Sequence, residues 1–337
     1  MRVAYTDPAW ALDGGGAVDR ALAELEVDIF GTDVEIDLGV VAEGRFVTAG
    51  RPLLDYVAGA DAVVVYRCHV TPEVLEAAGA GCKVVARQGV GLDNLNAELL
   101  RRRGVYGFHV PDYCGDEVST HALGLLLALE RGVCAQDRLV KADRWNIRGG
   151  GVPRRTSRLT AGIVGYGRIG RASSRKLQPF YDRVLAYDPY VTADLMASYG
   201  VGRCATLEEL LAACDVILLH AGLTPESAGM VGAAALEHVR PGALLVNTAR
   251  GALVDHGAVL DALRDGRLGG FASDVFTPED PNRAPETRLL LERDDVVVSA
   301  HRAFLSRESE RSQRRRVAEG VAQVLTHGVP PTHGRVA

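Results

Sequence analysis

Two kinds of hydrophobic pattern alternate along the first third of the chain. Short continuous apolar runs are typical of strands that are buried on both faces of a parallel sheet. Such runs cover residues 2–6, 62–66 and 83–86, and stretches with helical periodicity cover 72–80 and 93–103. This alternation predicts βαβ units and therefore a first parallel sheet.

A second array of strands is predicted after a glycine-rich break. The pattern first predicts one long amphipathic helix over about 116–140, and the segment 148–155 (RGGGVPRR) then predicts a loop. Six strands are predicted over 161–165, 183–187, 216–220, 243–247, 270–274 and 296–299. Six strands alternating with helices form a complete doubly wound sheet. A last helix, over 306–324, has no strand after it and is expected to pack on the first domain.

Composition and charge narrow the functional classes. A chain of 337 residues that is 47% hydrophobic contains enough apolar surface for one large or two medium cores. Its 38 Lys and Arg against 43 Asp and Glu give a net charge of −5, which does not favour nucleic acid or an anionic membrane as partner. No apolar run reaches the roughly 20 residues of a membrane span, and the first residues lack a signal-peptide core. We therefore expect a cytoplasmic protein.

The six cysteines do not predict a metal site. They are scattered, without a Cys-x-x-Cys pair or a histidine at zinc-ligand spacing. Reduced and mostly buried thiols are the expected state.

A glycine motif predicts a dinucleotide site. An apolar strand from Leu159 runs into Gly165-x-Gly167-x-x-Gly170 and then into a helix. Gly165 permits a tight turn, Gly167 lets a diphosphate approach the backbone, and Gly170 lets helix and strand touch. The helix N-terminus offers free N–H groups to the phosphates. The alternative is a glycine-rich turn in an α/β domain that binds no nucleotide.

An aspartate selects between the two nicotinamide dinucleotides. Asp188 ends the next predicted strand, 18 residues beyond Gly170, near the spacing at which an acid binds the adenine ribose diol. A carboxylate there repels the 2′-phosphate of NADP, so the sequence favours NAD.

Several ordered motifs resemble the D-isomer-specific 2-hydroxyacid dehydrogenases, most closely the C-terminal-binding-protein branch. They are the segment 87–94 (RQGVGLDN), the glycine motif, the segment 246–251 (VNTARG), Asp274-Val275-Phe276-x-x-Glu279, and Ser299-Ala300-His301 followed by Phe304. The resemblance implies an α/β fold in which a Rossmann dinucleotide-binding domain is inserted in a flavodoxin-like substrate domain. The implied bounds are 108–303 for the NAD-binding domain and 1–107 plus 304–337 for the substrate domain. A homodimer formed through the 116–140 helix and the loop after it is also implied.

Three polar residues fit the chemistry of that family. Interconversion of a D-2-hydroxy acid and its 2-keto acid needs hydride transfer, proton transfer and an anchor for the carboxylate. His301 suits the proton, Glu279 would orient the ring and stabilise its charged form, and Arg250 would hold the substrate oxygens. The resemblance assigns the same triad. Taken singly, such an arginine is usually a solvated charge and such a histidine a satisfied polar group, but their order at successive strand ends favours catalysis.

Further site residues are implied by the resemblance. Additional cofactor contacts are expected at Thr120, Arg168, Ile169, His220, Ala221, Thr248, Ala249 and Asp274. The backbone N–H groups of Gly89, Val90 and Gly91 are expected to face a substrate carboxylate. For Thr120 the alternative is a plain hydroxyl on a helix surface. The chain departs from the family pattern with Ser299-Ala300 in place of Thr-Pro and with Pro281 one residue late.

The substrate and the class of function each have an open alternative. Arg67, in the loop after the 62–66 strand, and Arg302 are candidates to meet a second anionic group on the substrate, and the alternative is that both are ordinary surface arginines. Instead of an enzyme, the chain could be a dimeric, NAD(H)-sensing binding module of the C-terminal-binding-protein type with little turnover. Turnover of any 2-keto acid favours the enzyme, whereas nucleotide-linked dimerisation without turnover favours the module.

Overall fold

The computed structural model describes all 337 residues and divides the chain into two compact units. The first comprises Met1–Tyr113 and Ser306–Ala337, and the second comprises Cys114–Leu305. The boundary expected after residue 107 cuts a strand, Tyr106–His109, that pairs within the first sheet. The first unit therefore extends beyond that strand.

The first unit is built on a five-stranded parallel sheet. Its strands are β1 (Arg2–Tyr5), β2 (Glu35–Leu38), β5 (Ala62–Val65), β6 (Val84–Arg87) and β7 (Tyr106–His109), and β3 (Val41–Ala42) and β4 (Arg45–Phe46) form a small antiparallel pair. The sheet order β2-β1-β5-β6-β7 is the flavodoxin-like order, in which the first strand lies between the second and the third. Helices span Glu24–Phe30, Arg51–Val57, Pro72–Ala78, Ala97–Arg103 and Arg307–His327.

Both faces of this sheet are covered by apolar side chains. Val3 and Tyr5 of β1 lie in one core cluster together with Val317 and Val321 of the helix Arg307–His327. Ala4, between them in sequence, belongs to the cluster on the opposite face, as the alternation of side chains along a strand requires. The expected packing of the last helix on the first domain is confirmed.

The second unit contains a seven-stranded parallel sheet. Its strands are β8 (Thr160–Val164), β9 (Arg183–Tyr187), β10 (Gly202–Arg203), β11 (Val216–Leu219), β12 (Ala243–Asn247), β13 (Leu268–Ser273) and β14 (Val296–Val298), in the order β10-β9-β8-β11-β12-β13-β14. Helices span Gly115–Glu130, Val133–Lys141, Arg168–Leu177, Ala193–Ser198, Leu207–Ala213, Ala233–Leu236, His256–Arg264 and Pro285–Leu291. All six strands expected here are present, and the seventh is a two-residue edge strand. The predicted fold class, a doubly wound α/β sheet with a flavodoxin-like partner domain, is confirmed.

The single long helix predicted over 116–140 is wrong. The segment forms two helices, Gly115–Glu130 and Val133–Lys141, that meet at an angle of 59°. Gly132 lies between them with φ of 63°, a left-handed conformation that no residue inside an α-helix adopts. Apolar residues continue across the break and concealed it in the sequence pattern, although Ala135 is the one buried residue of the second helix. No single helix has the length and apolarity to cross a membrane, and only this bent pair meets both requirements together.

None of the six cysteines forms a disulfide, and five of the six are buried. Burial raises the pKa of Cys82 to about 11 and those of Cys68 and Cys214 to about 12, so these thiols are protonated and unreactive at neutral pH. The prediction that the thiols are mostly buried is confirmed.

Candidate active site

The glycine motif lies where the sheet of the second unit changes direction. From β8 the chain first runs outward through β9 and β10 and then returns to β11 on the other side of β8. Gly165 directly follows β8 with φ of 90°, and a Cβ there would lie 2.5 Å from the backbone nitrogen of Ala221. A Cβ on Gly170 would lie 2.2 Å from the carbonyl oxygen of Gly165, whereas one on Gly167 would meet nothing within 4 Å. Ligands of open α/β sheets bind at such a switch point, and here the loops after β8 and β11 approach closely while Gly167 faces open space.

Asp188 lies beside the glycine loop. It follows β9, and its two carboxylate oxygens accept hydrogen bonds from the backbone N–H groups of Tyr166 at 2.7 Å and Tyr190 at 2.9 Å. Tyr166 stands between the first two glycines of the motif. The structure therefore brings the acid that the sequence assigns to the adenine ribose to the loop assigned to the diphosphate. Next to this loop, Arg168 is exposed and Ile169 half-buried in the first turn of the helix Arg168–Leu177.

Two buried polar atoms in the next two loops have no hydrogen-bond partner. His220 follows β11, and its Nε2 lies 2.8 Å from the Ser173 hydroxyl while its Nδ1 is buried and unpaired. The hydroxyl of Thr248, after β12, is also buried and unpaired. Leaving such a group unsatisfied costs about 1–3 kcal/mol, so native proteins rarely do so. Both atoms lie at the carboxyl edge of the sheet, and a polar ligand there would supply the missing partners, which fits a dinucleotide.

The burial of His220 also determines its charge. Desolvation lowers the pKa of His220 to about 4, well below the ordinary histidine value of 6.5. The ring is therefore neutral at physiological pH, and its unpaired nitrogen is uncharged.

The three residues of the predicted triad follow three neighbouring strands. Arg250 follows β12, Glu279 follows β13 and His301 follows β14, and these strands are adjacent in the sheet. Glu279 Oε1 lies 2.9 Å from His301 Nδ1, and the two side chains are 45% and 29% exposed. This bond uses Nδ1 and leaves Nε2 of His301 for a ligand. The carboxylate is thus placed to orient the ring and to stabilise its protonated form.

The loops that carry Arg250 and Glu279 are in direct backbone contact. A Cβ on Gly251 would lie 2.1 Å from the carbonyl carbon of Phe276, so only glycine fits there. The Asn247 side chain fastens the first loop by donating to the carbonyl of Arg250 at 2.9 Å and accepting from the N–H of Ala249 at 3.0 Å. The Arg250 guanidinium itself donates to the carbonyl of Ala249 at 2.8 Å. Arg250 is half-buried, and the path of its loop is set by the contact with Phe276 and by the side chain of Asn247.

Asp274 holds the loop of His301. The sequence assigns Asp274 to the cofactor, but in the structure its carboxylate is 1% exposed and accepts from the N–H groups of Arg302 at 3.0 Å and Ala303 at 2.8 Å. Its carbonyl accepts from the N–H of His301 at 2.7 Å. His301 has φ of 50°, a conformation that residues other than glycine adopt infrequently. The loop is therefore held in an unfavourable conformation by one buried residue, through both its carboxylate and its backbone carbonyl.

Sequence reasoning missed one residue beside this loop. His121, on the helix Gly115–Glu130, places its Nε2 2.8 Å from the Ser299 hydroxyl and 3.6 Å from Asp274 Oδ1. The only signal in the sequence was its position next to Thr120, which the sequence assigns to the site.

Thr120 itself lies away from the glycine motif. Its hydroxyl donates to the carbonyl of Asp116 at 2.8 Å and lies 2.5 Å from the ammonium of Lys176. Lys176 belongs to the last turn of the helix Arg168–Leu177, at the end opposite the glycines. The structure therefore does not bring Thr120 to the glycine loop, and its assignment to the cofactor stays a prediction.

In the first unit, the loop after β6 offers two free backbone donors. The N–H of Gly89 bonds to the carbonyl of Arg87 at 2.9 Å, whereas the N–H groups of Val90 and Gly91 have no acceptor in the chain. His109 Nδ1 lies 2.8 Å from the carbonyl oxygen of Val90, which orients that peptide. Two of the three predicted amides are thus available to an anion.

Arg67 lies in the loop after β5 of the same unit. Its side chain is exposed, its guanidinium lies 5.4 Å from the centre of the Tyr66 ring, and its backbone N–H donates to the buried carboxylate of Asp7 at 2.6 Å. The loop is fixed by Asp7 while the guanidinium remains accessible.

Comparison with known proteins identifies the relatives of this chain. Residues 123–303 match the model of the D-isomer-specific 2-hydroxyacid dehydrogenase family, NAD-binding domain. A glyoxylate reductase of Korarchaeum cryptofilum is 33% identical over 289 residues, 83% of this chain and 84% of that protein. A D-3-phosphoglycerate dehydrogenase of Mycobacterium leprae is 36% identical over 273 residues, 81% of this chain and 51% of that protein. The chain thus spans about half the length of the phosphoglycerate dehydrogenases it matches.

Solved structures show the same architecture. The apo-structure of D-lactate dehydrogenase from Escherichia coli superposes with a TM-score of 0.80 at 25% identity, covering 100% of both chains. The TT0316 protein of Thermus thermophilus gives a TM-score of 0.80 at 29% identity with the same coverage. The narrower resemblance to the C-terminal-binding-protein branch is not tested by these matches and stays a prediction. Because a family model matches more than half of the chain and a relative 33% identical to it aligns over 83% of the chain, this chain belongs to the D-isomer-specific 2-hydroxyacid dehydrogenase family, and residues 123–303 match the NAD-binding domain of that family.

Proposed function

We propose that the protein is an NAD-dependent dehydrogenase that interconverts a D-2-hydroxy acid and the corresponding 2-keto acid. The observation that carries this proposal is the 2.9 Å bond between Glu279 and His301, at the carboxyl edge of the sheet that also bears Arg250 and the glycine motif. NAD, when bound, accepts a hydride from C2 of the hydroxy acid, or as NADH returns one to the keto acid. The remaining requirements fall to side chains of this chain.

His301 moves the proton. In oxidation its Nε2 takes the hydroxyl proton of the substrate, and in reduction it gives a proton to the carbonyl oxygen. Glu279 accepts from Nδ1 in either direction, which keeps Nε2 directed at the substrate and stabilises the imidazolium. General acid–base catalysis of this kind contributes about 10²–10⁴ in rate.

Arg250 anchors the substrate. Its planar guanidinium donates two parallel hydrogen bonds, a geometry that suits a carboxylate with an adjacent carbonyl oxygen. In the first unit, the free N–H groups of Val90 and Gly91 are candidates to bind an anionic group of the substrate.

The proposed NAD contacts follow the geometry of the second unit. Gly167 leaves open space for the diphosphate above the N-terminus of the helix Arg168–Leu177, and Asp188 beside it would bind the ribose diol. His220 and Thr248 carry the unpaired buried atoms that a polar ligand would satisfy. The proposed set of NAD contacts also includes Ala221, Ala249, Arg168, Ile169 and Asp274.

The substrate side chain is proposed to carry a second anionic group. The relatives are named for glyoxylate and for 3-phosphoglycerate, so both small and phosphorylated acids occur among them. Arg67 and Arg302 are both exposed cations in loops that carry proposed site residues. Kinetic comparison of glyoxylate, pyruvate and a phosphorylated hydroxy acid tests this idea. Equal or higher kcat/KM on the small monoacids would remove it.

A homodimer is proposed for the assembled protein. Large apolar side chains stand almost fully in solvent in the loop after the helix Val133–Lys141, where Trp145 is 90%, Ile147 94% and Val152 72% exposed. Exposed apolar groups of this size are typical of protein interfaces. Sedimentation of the wild type and of a Trp145→Glu, Ile147→Glu variant tests the proposal, which fails if both sediment as monomers. A cytoplasmic location stays an expectation from the sequence.

The central experiment removes the proposed acid–base group. His301→Ala is expected to lower kcat by a factor of about 10² or more while NADH binding, followed by fluorescence, stays close to wild type. His238→Ala, an exposed histidine of the same unit, serves as the matched control and should keep full turnover. Unimpaired turnover in His301→Ala would exclude the mechanism. NADH-linked dimerisation without turnover of any keto acid would favour the binding-module alternative instead.

A further inference from the structure

The loop that carries His301 is held by a short polar chain of side chains. His121 Nε2 lies 2.8 Å from the Ser299 hydroxyl, and that hydroxyl donates to Asp274 Oδ1 at 2.5 Å. The Asp274 carboxylate in turn accepts the N–H groups of Arg302 and Ala303 in the turn after His301. We infer that His121 is a positioning residue for the reaction, because it anchors the Ser299–Asp274 pair that sets the position of His301. This inference rests on the proposed acid–base role of His301.

The conformation of His301 explains why the loop needs such an anchor. Its φ of 50° lies in the left-handed region, which costs a residue with a Cβ on the order of 1–2 kcal/mol. A residue persists in such a conformation only where its surroundings over-determine it. Asp274 supplies three constraints on the turn, at the N–H groups of residues 301, 302 and 303. Any rotation of its carboxylate would release two of them.

The Asp274 carboxylate is kept from rotating by the Ser299 hydroxyl, and His121 sets the direction of that hydroxyl. With the Ser299 proton directed to Asp274, the serine oxygen is free to accept from the N–H of His121 Nε2. The His121 Nε2, the Ser299 hydroxyl and the Asp274 carboxylate are then all paired, which stabilises a partly buried polar network. Loss of His121 leaves the hydroxyl free to reorient and weakens its bond to Asp274.

His121 is well placed for this role because it comes from a different element. The helix Gly115–Glu130 buries Val118, Ala122 and Leu126, so its apolar packing does not depend on residue 121. The His121 side chain is 27% exposed, and its polar contacts are with Ser299 and Asp274 alone. A rigid helix therefore fixes one end of the polar chain and the strained turn forms the other end.

Replacing His121 with side chains of different length and hydrogen-bonding capacity tests the inference. The amide of His121→Gln reaches the position of the ring Nε2, whereas His121→Asn is too short and His121→Leu has no donor. We expect His121→Gln to retain kcat within about twofold and the Asn and Leu variants to lose about tenfold, the effect of one hydrogen bond. KM values for NADH and for the keto acid should change little, since none of these variants replaces a proposed binding residue. A role limited to stability would lower kcat only by lowering the fraction of folded enzyme. We therefore express kcat per NADH-binding site, and a loss that persists per site cannot come from stability alone.

A double-mutant cycle identifies the route through Ser299. If His121 acts through the serine hydroxyl, His121→Leu added to Ser299→Ala should lower kcat no further than Ser299→Ala alone. Additive losses would overturn the inference, as would wild-type kcat in both His121→Asn and His121→Leu. If His121→Leu unfolds, the comparison of the Asn and Gln variants decides the outcome by the same criterion. His301→Ala, assayed in parallel, separates a failure of the proposed function from a failure of this inference. Turnover that survives in His301→Ala refutes the proposed function. Loss of turnover in His301→Ala together with full activity in His121→Asn refutes only the role of His121.

Discussion

The histidine after β11, whose Nδ1 is buried, makes the stability of the second unit depend on pH. His220 Nδ1 is buried and unpaired, and burial lowers the pKa of this ring to about 4, while the unfolded chain has the ordinary value near 6.5. Below pH 6.5 the unfolded chain binds a proton that the folded protein does not accept. Stability is therefore lost as the pH falls from 6.5 towards 4, and the loss levels off below pH 4.

The size of the effect follows from the two pKa values. Linkage with a folded pKa of about 4 and an unfolded pKa of 6.5 gives a loss of about 2 kcal/mol at pH 5 and almost none at pH 7. For a folded unit of this size, about 2 kcal/mol corresponds to a fall in Tm of roughly 4–8 °C.

The assay compares the nucleotide-free wild type with His220→Gln. Glutamine retains a polar side chain that can reach the Ser173 hydroxyl but has no proton to gain in this pH range. We expect the free energy of unfolding, measured by urea titration at pH 7 and pH 5, to fall by about 2 kcal/mol more in the wild type than in His220→Gln. The difference between the proteins isolates His220 from other titrating groups, such as His256, whose pKa is also lowered by burial.

The control is His238→Gln, which replaces an exposed histidine of the same unit and should keep the wild-type pH dependence. Equal losses between pH 7 and pH 5 in the wild type and His220→Gln would refute the reasoning, because they would show that the ring accepts a proton in the folded protein as easily as in the unfolded chain.

Three further predictions concern the glycine motif, the cofactor and the core of the first unit. Gly170→Ala places a Cβ 2.2 Å from the carbonyl oxygen of Gly165, so it should lower the free energy of unfolding by about 1–3 kcal/mol and abolish NADH binding. The control Gly124→Ala, whose Cβ would meet nothing within 4 Å, should leave the stability measured by urea titration unchanged or raise it. Asp188→Ala should narrow the preference of NADH over NADPH by about tenfold in Kd, since it removes a negative charge near the 2′-position, and an unchanged ratio would contradict the assignment. Arg314→Met leaves the fully buried Glu26, which it bonds at 2.6 and 2.9 Å, without its cation and should lower the unfolding free energy by about 3–5 kcal/mol, a loss that Glu26→Leu should partly restore.

The sequence predicted most strands of both sheets because their signals are local. Strands such as β11, with the run Val216–Leu219, are buried on both faces and therefore read as uninterrupted apolar segments. Strands with weaker signals escaped prediction. β2 (Glu35–Leu38) has an exposed or half-buried polar residue at alternate positions, and β10 consists of two exposed residues at the sheet edge.

The candidate site likewise has residues that the sequence predicted and contacts that it did not. Arg250, Glu279 and His301 lie in ordered sequence motifs at the ends of predicted strands. Because parallel strands have their carboxyl ends at the same edge of a sheet, the sequence also predicted that these residues lie near one another. The chain itself therefore determined the doubly wound fold, the glycine motif and the identity of the proposed triad.

Tertiary structure decided what depends on contacts between residues distant in the chain. The carboxylate of Asp274 turned inward to hold the strained loop of His301, and His121 met Ser299 across 178 residues of sequence. The unpaired nitrogen of His220 likewise exists only because the surrounding loops exclude water from it. A side chain shows its type in the sequence, but its orientation, burial and partners depend on distances that only the packed chain sets.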